Sequence, residues 1–105
     1  MATGRLAAID ITNAATDTQL YACPNNKTAS FSVCITNRTS SAIQVRLALT
    51  SSNSIANGEY VAYDVTVYGN EVYERSGFVI GQGQYVYVRS SSNAGVNAVV
   101  YGYEE

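Results

Sequence analysis

Histidine and tryptophan are absent from this 105-residue chain, proline occurs once, cysteine and phenylalanine twice each, and charged residues make up only 13%. Each shortage excludes something. Without histidine the commonest general acid–base group is missing, and neither a Ser–His nor a Cys–His pair can be assembled. Two cysteines fall short of the four Cys or His ligands of a structural zinc site. Asp10, Asp17 and Asp64 stand alone in the sequence, so no dense run of oxygen ligands marks a calcium loop. Gly81-Gln82-Gly83 is followed by neither a lysine nor a helix and reads as a tight turn, not a phosphate loop. Glu71 and Glu74 are close in sequence, but strand alternation sends them to opposite faces. The expectation is a protein that is not an enzyme and carries no cofactor and no metal.

Charge sets further bounds. The net charge is −2, and the arginines at 5, 38, 46, 75 and 89 are scattered singly, so no basic run is available to neutralise phosphates and nucleic acid is not an expected partner. Nowhere is there the run of roughly 18 apolar residues that a spanning helix needs, and the first residues lack the apolar core of a signal peptide. Synthesis in the cytoplasm, with no membrane partner, is expected. At this length residues 1–105 are expected to form a single domain burying roughly two thirds of its unfolded surface.

What is present is alternation. Ala29, Phe31, Val33 and Ile35 fall on one face and Ser30, Ser32, Cys34 and Thr36 on the other; after Asn37-Arg38-Thr39-Ser40-Ser41, Ile43, Val45, Leu47 and Leu49 oppose Gln44, Arg46 and Ala48. A period of two is the signature of a half-buried strand, and the two runs predict an antiparallel hairpin with Phe31, Val33, Ile35, Ile43, Val45, Leu47 and Leu49 on a common inward face. Further strands are predicted over residues 6–12, 18–23, 59–68, 72–80, 84–90 and 96–103, with turns at Asn57-Gly58 and Gly69-Asn70 and, at Gly77, either a bulge or a point of close approach. No stretch has helical periodicity long enough to predict a helix. Seven to eight short strands punctuated about every ten residues indicate an all-β fold, an antiparallel β-sandwich or small barrel, with Greek-key or jelly-roll-like connectivity as the default.

If Pro24-Asn25-Asn26-Lys27 is a hairpin loop, Cys23 faces Thr28 and Cys34 lies about 20 Å away at about 3.3 Å per residue. A disulfide needs α-carbons within about 7 Å, so both thiols are expected to be free, as in a reducing compartment. Asn26-Lys-Thr and Asn37-Arg-Thr match the glycosylation sequon but are expected to be turn chemistry.

Tyrosine is over-supplied, with nine copies against two phenylalanines. Three readings stand side by side: strand residues with their hydroxyls in water, a protein contact surface, and a platform for stacking on sugars. The candidate interface residues are Tyr60, Tyr68, Tyr73, Tyr85, Tyr87, Tyr101 and Tyr103. The poverty of charge supports a surface meant to be covered, and a homo-oligomer is expected.

Three passages, "LYACPNNKTASFSVCITNRTSSAIQVRLAL", "EYVAYDVTVYGNEVYERSGFVIGQGQYVYV" and the closing "VVYGYEE", span nearly the whole chain. In their order they resemble the small β-sandwich virion structural proteins of tailed bacteriophages, the capsid-associated or tail-fibre-like modules. The resemblance implies a capsid decoration subunit carried in many copies, located in the virion after synthesis in the host cytoplasm, with other virion proteins (the major capsid or a tail protein) and copies of itself as partners. It implies no catalytic residues. The alternative is a tail-fibre or head-fibre module whose tyrosine-rich face recognises a host surface glycan.

Overall fold

A computed structural model describes residues Ala2–Glu105. Eight strands are formed: β1 (Ala2–Asp10), β2 (Thr18–Ala22), β3 (Thr28–Asn37), β4 (Ile43–Thr50), β5 (Tyr60–Val67), β6 (Val72–Gly81), β7 (Tyr85–Ser90) and β8 (Val96–Glu104), with one 3-10 turn at Asn57–Glu59. They make two four-stranded antiparallel sheets, sheet I in the order β1-β8-β3-β6 and sheet II in the order β2-β7-β4-β5. The fold is thus an antiparallel β-sandwich, and this interleaved order, in which successive strands mostly alternate between the sheets, is that of an eight-stranded jelly roll. Among the described residues no helix is long and apolar enough to cross a membrane.

The alternation of β3 is realised in full: Ala29, Phe31, Val33, Ile35 and Asn37 are buried and the residues between them are not. These side chains meet Val45, Leu47, Val86 and Val88 of sheet II in one core. At one end Phe31 lies between Tyr21 and Phe78, with ring centres 5.9 and 5.7 Å apart. Leu49 also points inward but is only half-buried, at the end of its strand.

Two expectations are corrected. β3 and β4 are not a hairpin: β3 pairs with β6 and β8, whereas β4 pairs with β5 and β7. Both arrangements turn the same apolar residues inward, so the alternation is equally satisfied by a chain that crosses between the sheets. The Pro24 loop crosses in the same way, from β2 in sheet II to β3 in sheet I. Cys23 therefore does not face Thr28; its amide donates to Gln84 O at 3.0 Å, while Thr28 N donates to Glu105 O at 2.9 Å. Both cysteines are free, Cys23 in the core and Cys34 on the opposite side of its sheet, so they are separated by burial and not by hairpin register.

β1 begins at Ala2, before the predicted Leu6, because the tail of β8 supplies a partner, Ala2 lying opposite Glu104. Of the two readings of Gly77, β6 realises the bulge. Phe31 faces Phe78 and Val33 faces Arg75, so Ser32 alone opposes Ser76-Gly77, and Gly77 takes φ +85°, which a β-carbon disfavours.

Candidate functional site

The outer face of sheet II concentrates the polar chemistry of the molecule. Val45 faces Val65 and Leu47 faces Ala62, so Arg46 opposes two residues, Tyr63 and Asp64. That bulge puts Asp64 at φ +53° in mid-strand and turns its carboxylate toward Arg46. Arg46 Nε donates to Oδ1 at 2.7 Å and Nη2 to Oδ2 at 3.3 Å, while the guanidinium lies 4.0 Å from the centre of the Tyr63 ring. The Arg46 hydrogen bond holds the Asp64 carboxyl below its ordinary range and raises Arg46 in turn.

Arg89 lies directly opposite Arg46 on the neighbouring strand, an unfavourable pairing of like charges. Each is answered by its own carboxylate, Arg89 by Asp17 at 3.8 Å. Between them opens a recess of about 160 Å³ lined by Gln44, Arg46, Asp64, Arg89 and Ser91.

Beside the arginines stands an aromatic wall. Ala48 points outward yet is 1% exposed, because Tyr60 on one side and Tyr87 on the other are its direct cross-strand neighbours and close over its small side chain. Tyr60 meets Tyr63 edge-on at 4.9 Å, and Tyr85 lies 6.3 Å from Tyr87. Tyr87 Oη donates to Asn53 O at 3.1 Å. The loop bearing Asn53 is pinned by Glu59, which accepts from Ala56 N at 2.8 Å and Ser51 N at 3.0 Å; these amides lower the Glu59 pKa.

The outer face of sheet I is different in kind. Of the six large hydrophobic residues exposed among those described, four lie here: Val72, Val79, Tyr101 and Tyr103. The register sets them opposite Thr36, Ser30, Ser32 and Ser30, so they flank a stripe of small polar side chains on β3. Glu74 sits on the same face and accepts a hydrogen bond from the Tyr101 hydroxyl, which raises the phenol's pKa.

The seven candidate tyrosines therefore do not form one surface. Tyr60, Tyr85 and Tyr87 belong to the outer face of sheet II and Tyr101 and Tyr103 to that of sheet I, the whole sandwich lying between. Tyr68 is 63% exposed in the turn after β5. Tyr73 lies opposite Ile35, packs against the core and accepts from Arg75 Nη1 at 3.2 Å, so it belongs to the interior edge of the sandwich.

Sequence reasoning did not single out Arg46, Asp64, Arg89 or Ala48 as a group. Alternation does put Arg46 and Arg89 on outward positions, but their pairing is a tertiary fact, and the Asp64 bulge leaves no parity signal to follow. Among the described residues no cluster of three or more His, Cys, Asp or Glu is placed to hold a metal ion. Comparison with known proteins finds no family model that matches this chain and no curated protein that matches it.

Proposed function

We propose that this chain is a non-enzymatic virion structural protein, a capsid decoration subunit bound to the particle in many copies. The observation that carries the reading is the outer face of sheet I, where Val72, Val79, Tyr101 and Tyr103 stand exposed around serines and threonines. Exposed valines and tyrosines around small hydroxyl side chains, with Glu74 among them, have the composition of a surface that is covered when the protein works. The jelly roll agrees with it by analogy of fold alone, since viral capsid domains use this architecture. Mass spectrometry of purified particles, with copy number, tests the reading. Stoichiometric retention is the expected result, and a chain that stays in the unassembled fraction overturns it.

A second reading is favoured by the opposite face. There Tyr60, Tyr63 and Tyr87 border fixed polar groups on Arg46, Asp64 and Arg89, a combination suited to stacking on a sugar ring while hydrogen-bonding its hydroxyls. In this reading the chain is a fibre module that recognises host glycan. Saturable binding of the isolated domain on a glycan array, lost in Arg46→Ala and Tyr87→Ala, is its mark.

A further inference from the structure

We infer that two copies of this chain associate through β1, edge to edge and antiparallel, with the molecular two-fold passing at Ala8. β1 is an edge strand of sheet I, nine residues long and free of proline and lysine; what interrupts its edge is the bulge at Leu6 and the charges of Arg5 and Asp10.

The direction of its free peptide groups follows from two hydrogen bonds. Ile11 N donates to Val96 O at 2.9 Å, so Ile11, and by alternation Ile9 and Ala7, face β8. On the other side of β8, Thr28 and Glu105 exchange both their main-chain bonds, so Tyr103, Tyr101, Val99 and Asn97 face β3. Their β1 neighbours Thr3, Arg5, Ala8 and Asp10 therefore turn N–H and C=O into the open edge, the change of parity being absorbed at Leu6.

A second strand that pairs there must bring edge-facing residues together. Centring the two-fold on Arg5 or on Asp10 sets like charges directly opposite each other, which is unfavourable. Centring it on Ala8 sets Ala8 against Ala8 and, because Leu6 is the bulged residue, Arg5 against Asp10 of the second copy in both directions. Arg5 is exposed and, among the described residues, forms no ion pair, while Asp10 gives only Oδ1 to Arg38, at 2.8 Å. The self-pairing thus satisfies an otherwise unanswered charge.

The inward side agrees independently. Leu6, Ala7 and Ile9 pack against the core but remain half-exposed, and in this register Ala7 lies against Ile9 of the second copy. Dimerisation covers that strip and joins the two copies of sheet I, placing both sets of Tyr101 and Tyr103 on one continuous face.

This inference deepens the assembly reading above, from which it takes the expectation of self-association, and the experiment separates the two. Sedimentation equilibrium of the full chain is expected to show a dimer. Arg5→Asp and Asp10→Arg should each raise the dissociation constant roughly tenfold or more, and the double exchange should restore it. Ala8→Pro removes one edge-facing N–H, which an edge strand tolerates, and should give a folded monomer. Ala8→Cys should yield a disulfide-linked dimer on mild oxidation, since directly paired residues of an antiparallel ladder have α-carbons about 5.5 Å apart. A monomer that still binds purified particles overturns the β1 contact and leaves the assembly reading standing. A dimer indifferent to the charge exchange also overturns it. A dimer that obeys the exchange but ignores particles supports the contact and removes the assembly reading.

Discussion

Asn37 donates from Nδ2 to the main-chain oxygen of Val67 at 3.1 Å, a bond from the last residue of β3 in sheet I to the last residue of β5 in sheet II. The same amide nitrogen lies 2.8 Å from Ser41 O and 3.2 Å from Tyr68 O, and Oδ1 accepts from Thr39 N at 3.0 Å and Thr39 Oγ1 at 2.7 Å. A fully buried side chain thus fastens the crossing between β3 and β4 to the turn after β5. Asn37→Ala strands those buried carbonyls and is expected to cost about 1–3 kcal/mol in urea unfolding. Asn37 is also 0% exposed, so its sequon is closed in the folded chain. Expressed in a glycosylating host, the folded protein should carry no glycan there.

Phe31 holds the aromatic end of the core between Tyr21 and Phe78 and is 4% exposed. Phe31→Ala should destabilise the domain by about 3–5 kcal/mol, a large part of the stability of a domain this size. A loss below about 1 kcal/mol in chemical denaturation would contradict the packing described.

Gly102 lies opposite Phe31 on one side and Gly4 on the other. A β-carbon there would meet Ser30 O and come within 2.6 Å of Phe31 Cα, main-chain atoms that cannot step aside. Gly102→Ala should cost about 1–3 kcal/mol or more, by overpacking. Gly77→Ala meets open space but keeps φ +85°, so its cost is the left-handed backbone alone, about 1–2 kcal/mol. Thermal unfolding of the pair separates steric from conformational strain.

Acid should weaken the fold in part through Asp64. Arg46 holds its carboxyl below the ordinary range near about 4, so the stabilisation is fully present above that range. It is lost as the pH falls through the lower folded-state pKa. Asp64→Asn should be less stable than the parent at neutral pH and converge with it at the acid end of a urea titration series. Parallel curves across that range would refute the assignment.

The two thiols should react in order. Burial pushes the Cys23 thiol pKa up, with Glu104 adding to the effect, and its Sγ donates to Lys27 O at 3.3 Å. Cys34 is half-exposed on the outer side of β3. Alkylation followed by intact mass should show one label added quickly to the native protein and the second only after denaturation.

Strand positions and inward residues were legible in the sequence because side-chain direction along an extended backbone is a local property with a period of two, whereas Gly77 by itself marks only a bulge or a close approach. Phe31, Val33, Ile35, Val45 and Leu47 are in the core for that reason alone. Strand neighbours were not legible. A loop that turns back within one sheet and a loop that crosses to the other leave the same residues facing inward, so the pattern of β3 and β4 fits both, and only packing against β6, β7 and β8 selects the crossing. The same limit explains the tyrosines: alternation pairs Tyr85 with Tyr87 and Tyr101 with Tyr103, but their separation onto opposite outer faces follows from which sheet each strand joins. The Arg46–Asp64 pair was the least visible of all. It depends on a bulge that breaks the period in β5, and a broken period carries no direction until the partner strand is in place.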